Sequence, residues 1–153
     1  MTMTLTEHER ALVDGSEDEI AALMGAESVV VDWRGDFEEI CRDFSRRLPP
    51  DALALDEDDD AITVCSQHAT AVVPLVGEAP FGLDLAAAIA AILPPRFEAR
   101  AFRMSLESDT HCYFVRPGAW WDAFRAQHGE RYREIFAEPS ELPDRFEIIS
   151  EDD

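Results

Sequence analysis

The sequence predicts an α+β fold: one domain with a largely antiparallel sheet and helices packed mainly on one face. Three observations carry this. Helical and strand-like segments follow in the order ααβαβββαββαα, the irregular mixture of an α+β domain. Two of the β-branched runs are joined across only Gln67-His68-Ala69, a tight hairpin that makes them antiparallel neighbours. Of the 153 residues, 46% are hydrophobic, and three Trp and nine Phe supply bulky core material, so a sizeable core forms despite a net charge of −20.

Taken in order, Thr6 with Glu9 and Ser16 with Glu19 are capping boxes, predicting helices over 7–14 and 17–24, with Gly15 and Gly25 as stops. "SVVVDW" at 28–33 is a strand. "RGD" at 34–36 is a glycine turn leading into Asp36 as helix cap, rather than an adhesion motif. Phe37, Ile40, Cys41, Phe44 and Leu48 then form one apolar stripe, and Pro49-Pro50 ends that helix. Strands follow at 52–55, 61–66 and 70–76, where Pro74 marks an edge or an early end. "LDLAAAIAAIL" at 83–93 is a helix whose small residues allow close packing on a sheet. Strands at 97–105 and 111–117 flank the polar turn "LESDT", and helical segments at 118–129 and 130–136 follow. Residues 1–138 form the domain. Residues 139–153 are an acidic arm, either extended or docking "RFEII" as an edge strand.

Composition excludes several classes of function. The longest apolar stretch is too short to span a bilayer, and "MTMTLTEHER" has neither the basic nor the apolar region of a secretion signal. Cys41, Cys65 and Cys112 are scattered and form no CxxC pair, which reads as reduced thiols in a cytoplasmic protein. All thirteen bases are Arg, a bias typical of GC-rich bacterial coding. Thirty-three acids repel nucleic acid and anionic membranes, so the expected partner is a basic protein. The charge is uneven: residues 1–60 carry −13, residues 61–110 carry −2 and the remainder carries −5.

No pattern announces catalysis. His8, His68, His111 and His128 lack metal-ligand spacing, and His111 and Cys112, as neighbours on a strand, face apart. His111 is read as a surface or turn residue, and Cys112 as small core. Ser108, Asp109 and Thr110 are turn formers, with no nucleophile elbow around them. The seven glycines are isolated, and without Lys a Walker loop is impossible. No enzyme activity and no cofactor is therefore expected.

The run Asp56, Glu57, Asp58, Asp59 and Asp60 is the remaining feature. It lacks the spacing and glycine of a calcium loop, and no basic track accompanies it as a nuclease would need. It is a solvated connection or a partner-facing patch, with the latter favoured because the charge is concentrated. Glu38, Glu39 and Asp43 extend that patch, and Trp121 is an apolar anchor for it. The expected function is an inhibitor or immunity-type module that neutralises a basic toxin or nuclease. The alternatives are a metal-dependent hydrolase using the acid cluster, and a structural or regulatory domain that oligomerises as a homodimer through Trp120 or Trp121.

Overall fold

The computed structural model describes residues 4–67, 69–77 and 81–150. Among these, an α+β domain has its strands divided between two antiparallel sheets. The three-stranded sheet has the order β1 (Val29–Asp32), β6 (Thr110–Pro117), β5 (Phe97–Ala101). The four-stranded sheet has the order β2 (Ala54–Glu57), β3 (Ala61–Cys65), β4 (Ala69–Pro74), β7 (Glu147–Ser150). The β3–β4 pair is the expected hairpin, although its turn residue His68 lies outside the described residues.

The helices are α1 (Ala11–Asp14), α2 (Glu17–Glu27), α3 (Phe37–Ser45), α4 (Phe81–Ala91), α5 (Gly118–Gln127) and α6 (Gly129–Ile135). Helix α4 packs against strands of both sheets and against α3. Its Ala86, Ala87 and Ala88 are buried and small enough to let the sheets approach. Gly82 in its first turn is forced by the same closeness: a Cβ there would sit 2.8 Å from the Asp32 carbonyl oxygen and 3.0 Å from that of Trp33. The four-stranded sheet is covered on its α4 face only, where Ile62, Val64, Ala71 and Val73 are buried.

The three-stranded sheet is covered on both faces. Tyr113 and Val115 on β6 join the core shared with α3 and α4, while Cys112 and Phe114 join a second core. That second core is aromatic: Phe114, Trp121, Phe124 and Phe136 meet edge-on or tilted, with Leu12, Ile20 and Leu23 of the N-terminal helices around them. A strand buried on both faces reads as a continuous apolar run, and "HCYFV" does so.

Both expected capping boxes are present. Glu9 N–H donates to the Thr6 hydroxyl at 3.1 Å while Thr6 N–H donates to Glu9, and Ser16 and Glu19 pair in the same way. Gly25 does not stop α2, which runs on to Glu27; the Ser28 N–H and hydroxyl both return to the Met24 carbonyl instead. After α3, Asp51 takes a left-handed turn (φ 59°), so β2 begins two residues later than expected and includes Asp56 and Glu57. Strand β5 stops at Ala101, and Arg103–Ser105 form a 3-10 turn. In the C-terminal arm, Glu147–Ser150 docks as β7 on β4, the second of the two arrangements its sequence allowed.

Candidate functional site

The acidic run spans the end of β2 and the turn into β3. Asp56 and Glu57 pair with Thr63 and Ile62, and Asp58 builds the turn. Its Oδ1 accepts from the backbone N–H of Asp60 at 2.7 Å and of Ala61 at 2.9 Å, while its own N–H donates to the Ala61 carbonyl at 3.0 Å. Asp58 is thus a turn former whose carboxylate is partly occupied by backbone. All five acids are exposed, and among the described residues none of them forms an ion pair. Strand β2 is also the free edge of its sheet, where charge opposes edge-to-edge pairing with another chain.

Glu38 and Glu39 are exposed in the first turn of α3, which packs against β2. Asp43 is half-buried and already paired with Arg46 at 2.9 Å one turn on, beside the β1 edge. Trp121 is not available as an anchor. It is 0% exposed, its Nε1–H donates to the Glu98 carbonyl at 2.9 Å, and its ring lies 4.8 Å from Phe136. The reason is its place on α5 facing the second core; Trp120, one helical step round, is half-buried and stacks on Phe124 at 5.1 Å.

His111 is likewise buried rather than exposed, because β6 is the central strand of its sheet and its neighbours cover both faces. Burial pushes its pKa down, so the ring is held neutral, and its Nδ1 has no hydrogen-bond partner. Cys41 and Cys112 are buried, and burial raises both thiols, which suppresses the thiolate form. Among the described residues no three His, Cys, Asp or Glu side chains converge to hold a metal ion, and no helix is long and apolar enough to cross a membrane.

A second feature lies beside the acidic turn. Leu75 N–H donates to the Asp60 carbonyl at 2.8 Å, and Ser66 N–H to that of Ala69 at 2.9 Å, so odd-numbered residues of β4 bond to β3. Even-numbered N–H groups therefore point to β7, and Pro74 has none. The β4–β7 ladder accordingly ends at Val72 opposite Glu147. Where it ends, a pocket of about 400 Å³ opens between the end of β4, residues 145–147 and the first turn of α4.

Its walls are Val72, Pro74, Val76, Phe81 and Phe146, and Asp84 is part of its lining. Asp84 is 1% exposed and both of its oxygens are buried. Arg145, 54% exposed, reaches it in a long ion pair at 3.4 Å. Burial pushes the Asp84 pKa up; the Arg145 charge opposes this, and Asp144 adds to it. Behind it the buried Tyr113 hydroxyl is unpartnered, and burial together with the Asp84 charge raises the phenol. Sequence reasoning passed over Asp84, Arg145 and Phe146. The available signal was a lone acid inside "LDLAAAIAAIL", where every neighbour is apolar.

Comparison with protein-family models, with curated protein sequences and with solved structures yields no match.

Proposed function

We propose that this protein is a binding module that neutralises a basic partner protein, in the manner of an inhibitor or immunity protein, through the acidic end of its four-stranded sheet. One observation carries the reading: Asp56, Glu57, Asp59 and Asp60 are exposed together on a short hairpin, and among the described residues none of them is paired with a base. Like charges held side by side repel one another, and a cationic surface relieves that repulsion while steering its own approach. Glu38 and Glu39 on the adjoining helix add to the same field. Asp58 contributes chiefly by shaping the turn. With Trp121 inside the core, the affinity at this end is mainly electrostatic and so falls steeply as salt rises.

The test is affinity capture from the source cells, with quantitative mass spectrometry at low and raised salt. It compares the natural chain with a variant carrying Asp56→Asn, Glu57→Gln, Asp59→Asn and Asp60→Asn, which leaves Asp58 to build the turn. The expected result is a basic protein retained by the natural chain, released by salt and lost by the variant, whose own activity is blocked by the natural chain. A partner held equally well by both chains, with the same salt dependence, rejects the reading.

A further inference from the structure

We propose that the pocket over Asp84 binds a small organic ammonium ion with an apolar, preferably aromatic, body. This site does not depend on the acidic hairpin reading. Its principal feature is Asp84, an almost fully buried acid in the pocket lining whose close polar partner among the described residues is the half-exposed Arg145, at a long 3.4 Å. An ionised carboxylate is an acceptor only, and an ammonium group supplies up to three charged donors to it.

The walls suit the rest of such a ligand. Val72, Pro74 and Val76 offer aliphatic surface, while the rings of Phe81 and Phe146 can pack on an aromatic body or face the cation. The volume, about 400 Å³, lies in the range of small-molecule sites.

The charges around the site favour a cation over an anion. Asp84 and Glu147 line the pocket and Asp144 lies near, against the single base Arg145, while Tyr113 behind Asp84 is neutral. An anionic ligand would have to approach these carboxylates to reach Arg145. Arg145 itself holds Asp84 through one long contact at 3.4 Å, and more than half of its side chain is already in water. An ammonium group with shorter, better-aligned contacts replaces it as the carboxylate's partner, and Arg145 turns fully to water. A bare metal ion is less well served, since among the described residues no group of three or more His, Cys, Asp or Glu side chains gathers to hold one.

The experiment is an amide NMR titration of the full chain with phenethylamine hydrochloride, near neutral pH and in moderate salt. Neutral phenethyl alcohol and anionic phenylpropanoate serve as matched controls. The amine is expected to shift the amides of Val72, Asp84, Phe146 and Glu147, and the alcohol to bind about tenfold more weakly or worse, since it lacks the charged hydrogen bonds. Asp84→Asn is expected to lose about tenfold or more in affinity for the amine while keeping the fold, and Arg145→Gln to bind it at least as tightly as the natural chain.

Shifts that are absent, or unaffected by Asp84→Asn, overturn the proposal. So does phenylpropanoate binding as well as the amine, or Arg145→Gln weakening the amine, because either makes Arg145 the recognition group. Neutralising residues 56, 57, 59 and 60 leaves the amine titration within about twofold in moderate salt, so failure of either reading leaves the other standing.

Discussion

In the three-stranded half of the molecule, several carboxylates, buried Glu9 among them, are matched with guanidinium groups. Arg116 lies over the Phe114 ring and bridges Glu9 at 2.8 Å and Glu27 at 3.2 Å, both on the N-terminal helical segment. Arg100 joins Glu98 and the Tyr132 hydroxyl, Arg103 joins Glu141 and the Phe136 carbonyl, and Arg131 closes the carbonyls of Ala11, Leu12 and Gly15. In the four-stranded half, the carboxylates of residues 56–60 are exposed, and Arg145 reaches Asp84 only at a long 3.4 Å. The first set of charges is part of what holds the fold. The second set is left over by folding, which makes it the part of the molecule free to meet something else.

The largest effect that would break this contrast lies at Arg116. Arg116→Met strands the buried Glu9 carboxylate and is expected to cost about 3–5 kcal/mol in urea denaturation, because removing one partner of a buried pair leaves an uncompensated charge. Adding Glu9→Leu to the same chain should recover much of that loss. If Arg116→Met costs no more than a surface substitution, the bridge is not structural and the two halves are alike.

A smaller effect, of opposite sign, is expected at Asp84. Burial raises its pKa in the folded state, so the native protein holds that proton more tightly than the unfolded chain does. Stability from this group is therefore present at low pH and lost as pH rises, from the unfolded carboxylate value near about 4 up through the raised folded one. Asp84→Asn removes that loss. Its Tm should match the natural chain's in acid and exceed it by a few degrees (roughly 2–6 °C) near neutrality. A Tm difference independent of pH, or one favouring Asp at neutral pH, would show that Arg145 fully compensates the buried charge.

The smallest effect belongs to the acidic end. Replacing Asp56, Glu57, Asp59 and Asp60 with their amides should change stability by only about 0.5 kcal/mol, in the stabilising direction at low salt and vanishing in high salt, because only mutual repulsion is removed. A loss of several kcal/mol would mean these acids are structural after all, and would remove the reason for assigning them to a partner.

Much of the fold was legible because its signals are local. The Ser16–Glu19 box, the Phe37–Phe44 stripe and the prolines after α3 and α4 each act within a few residues and bound their helices as expected, whereas the Thr6–Glu9 box closes only a turn, and α1 begins at Ala11 rather than residue 7. Boundaries moved where a local signal met a stronger one, as at Gly25, which helix α2 passes through, and at Asp51, whose turn carries two acids into β2. The exposure of Asp56–Asp60 was also legible, since five adjacent acids have no alternative to water. The burial of Trp121 and His111 was not, because it depends on helices from distant parts of the chain packing on both faces of β6, a long-range arrangement that no window of sequence contains.

The sequence by itself determined the α+β character, the capped helices, the antiparallel hairpins and an acidic, solvated end, since propensity, periodicity and charge act over short stretches of chain. Only the tertiary structure decided that the strands split into two sheets around α4 and that the C-terminal arm returns as β7. It also decided that Pro74, lacking an N–H on the side facing β7, ends that ladder where Asp84 lies beneath. The reason is physical: a pocket is made by segments far apart in sequence, here 72–76, 81–84 and 145–147, and its chemistry exists only where packing brings them together.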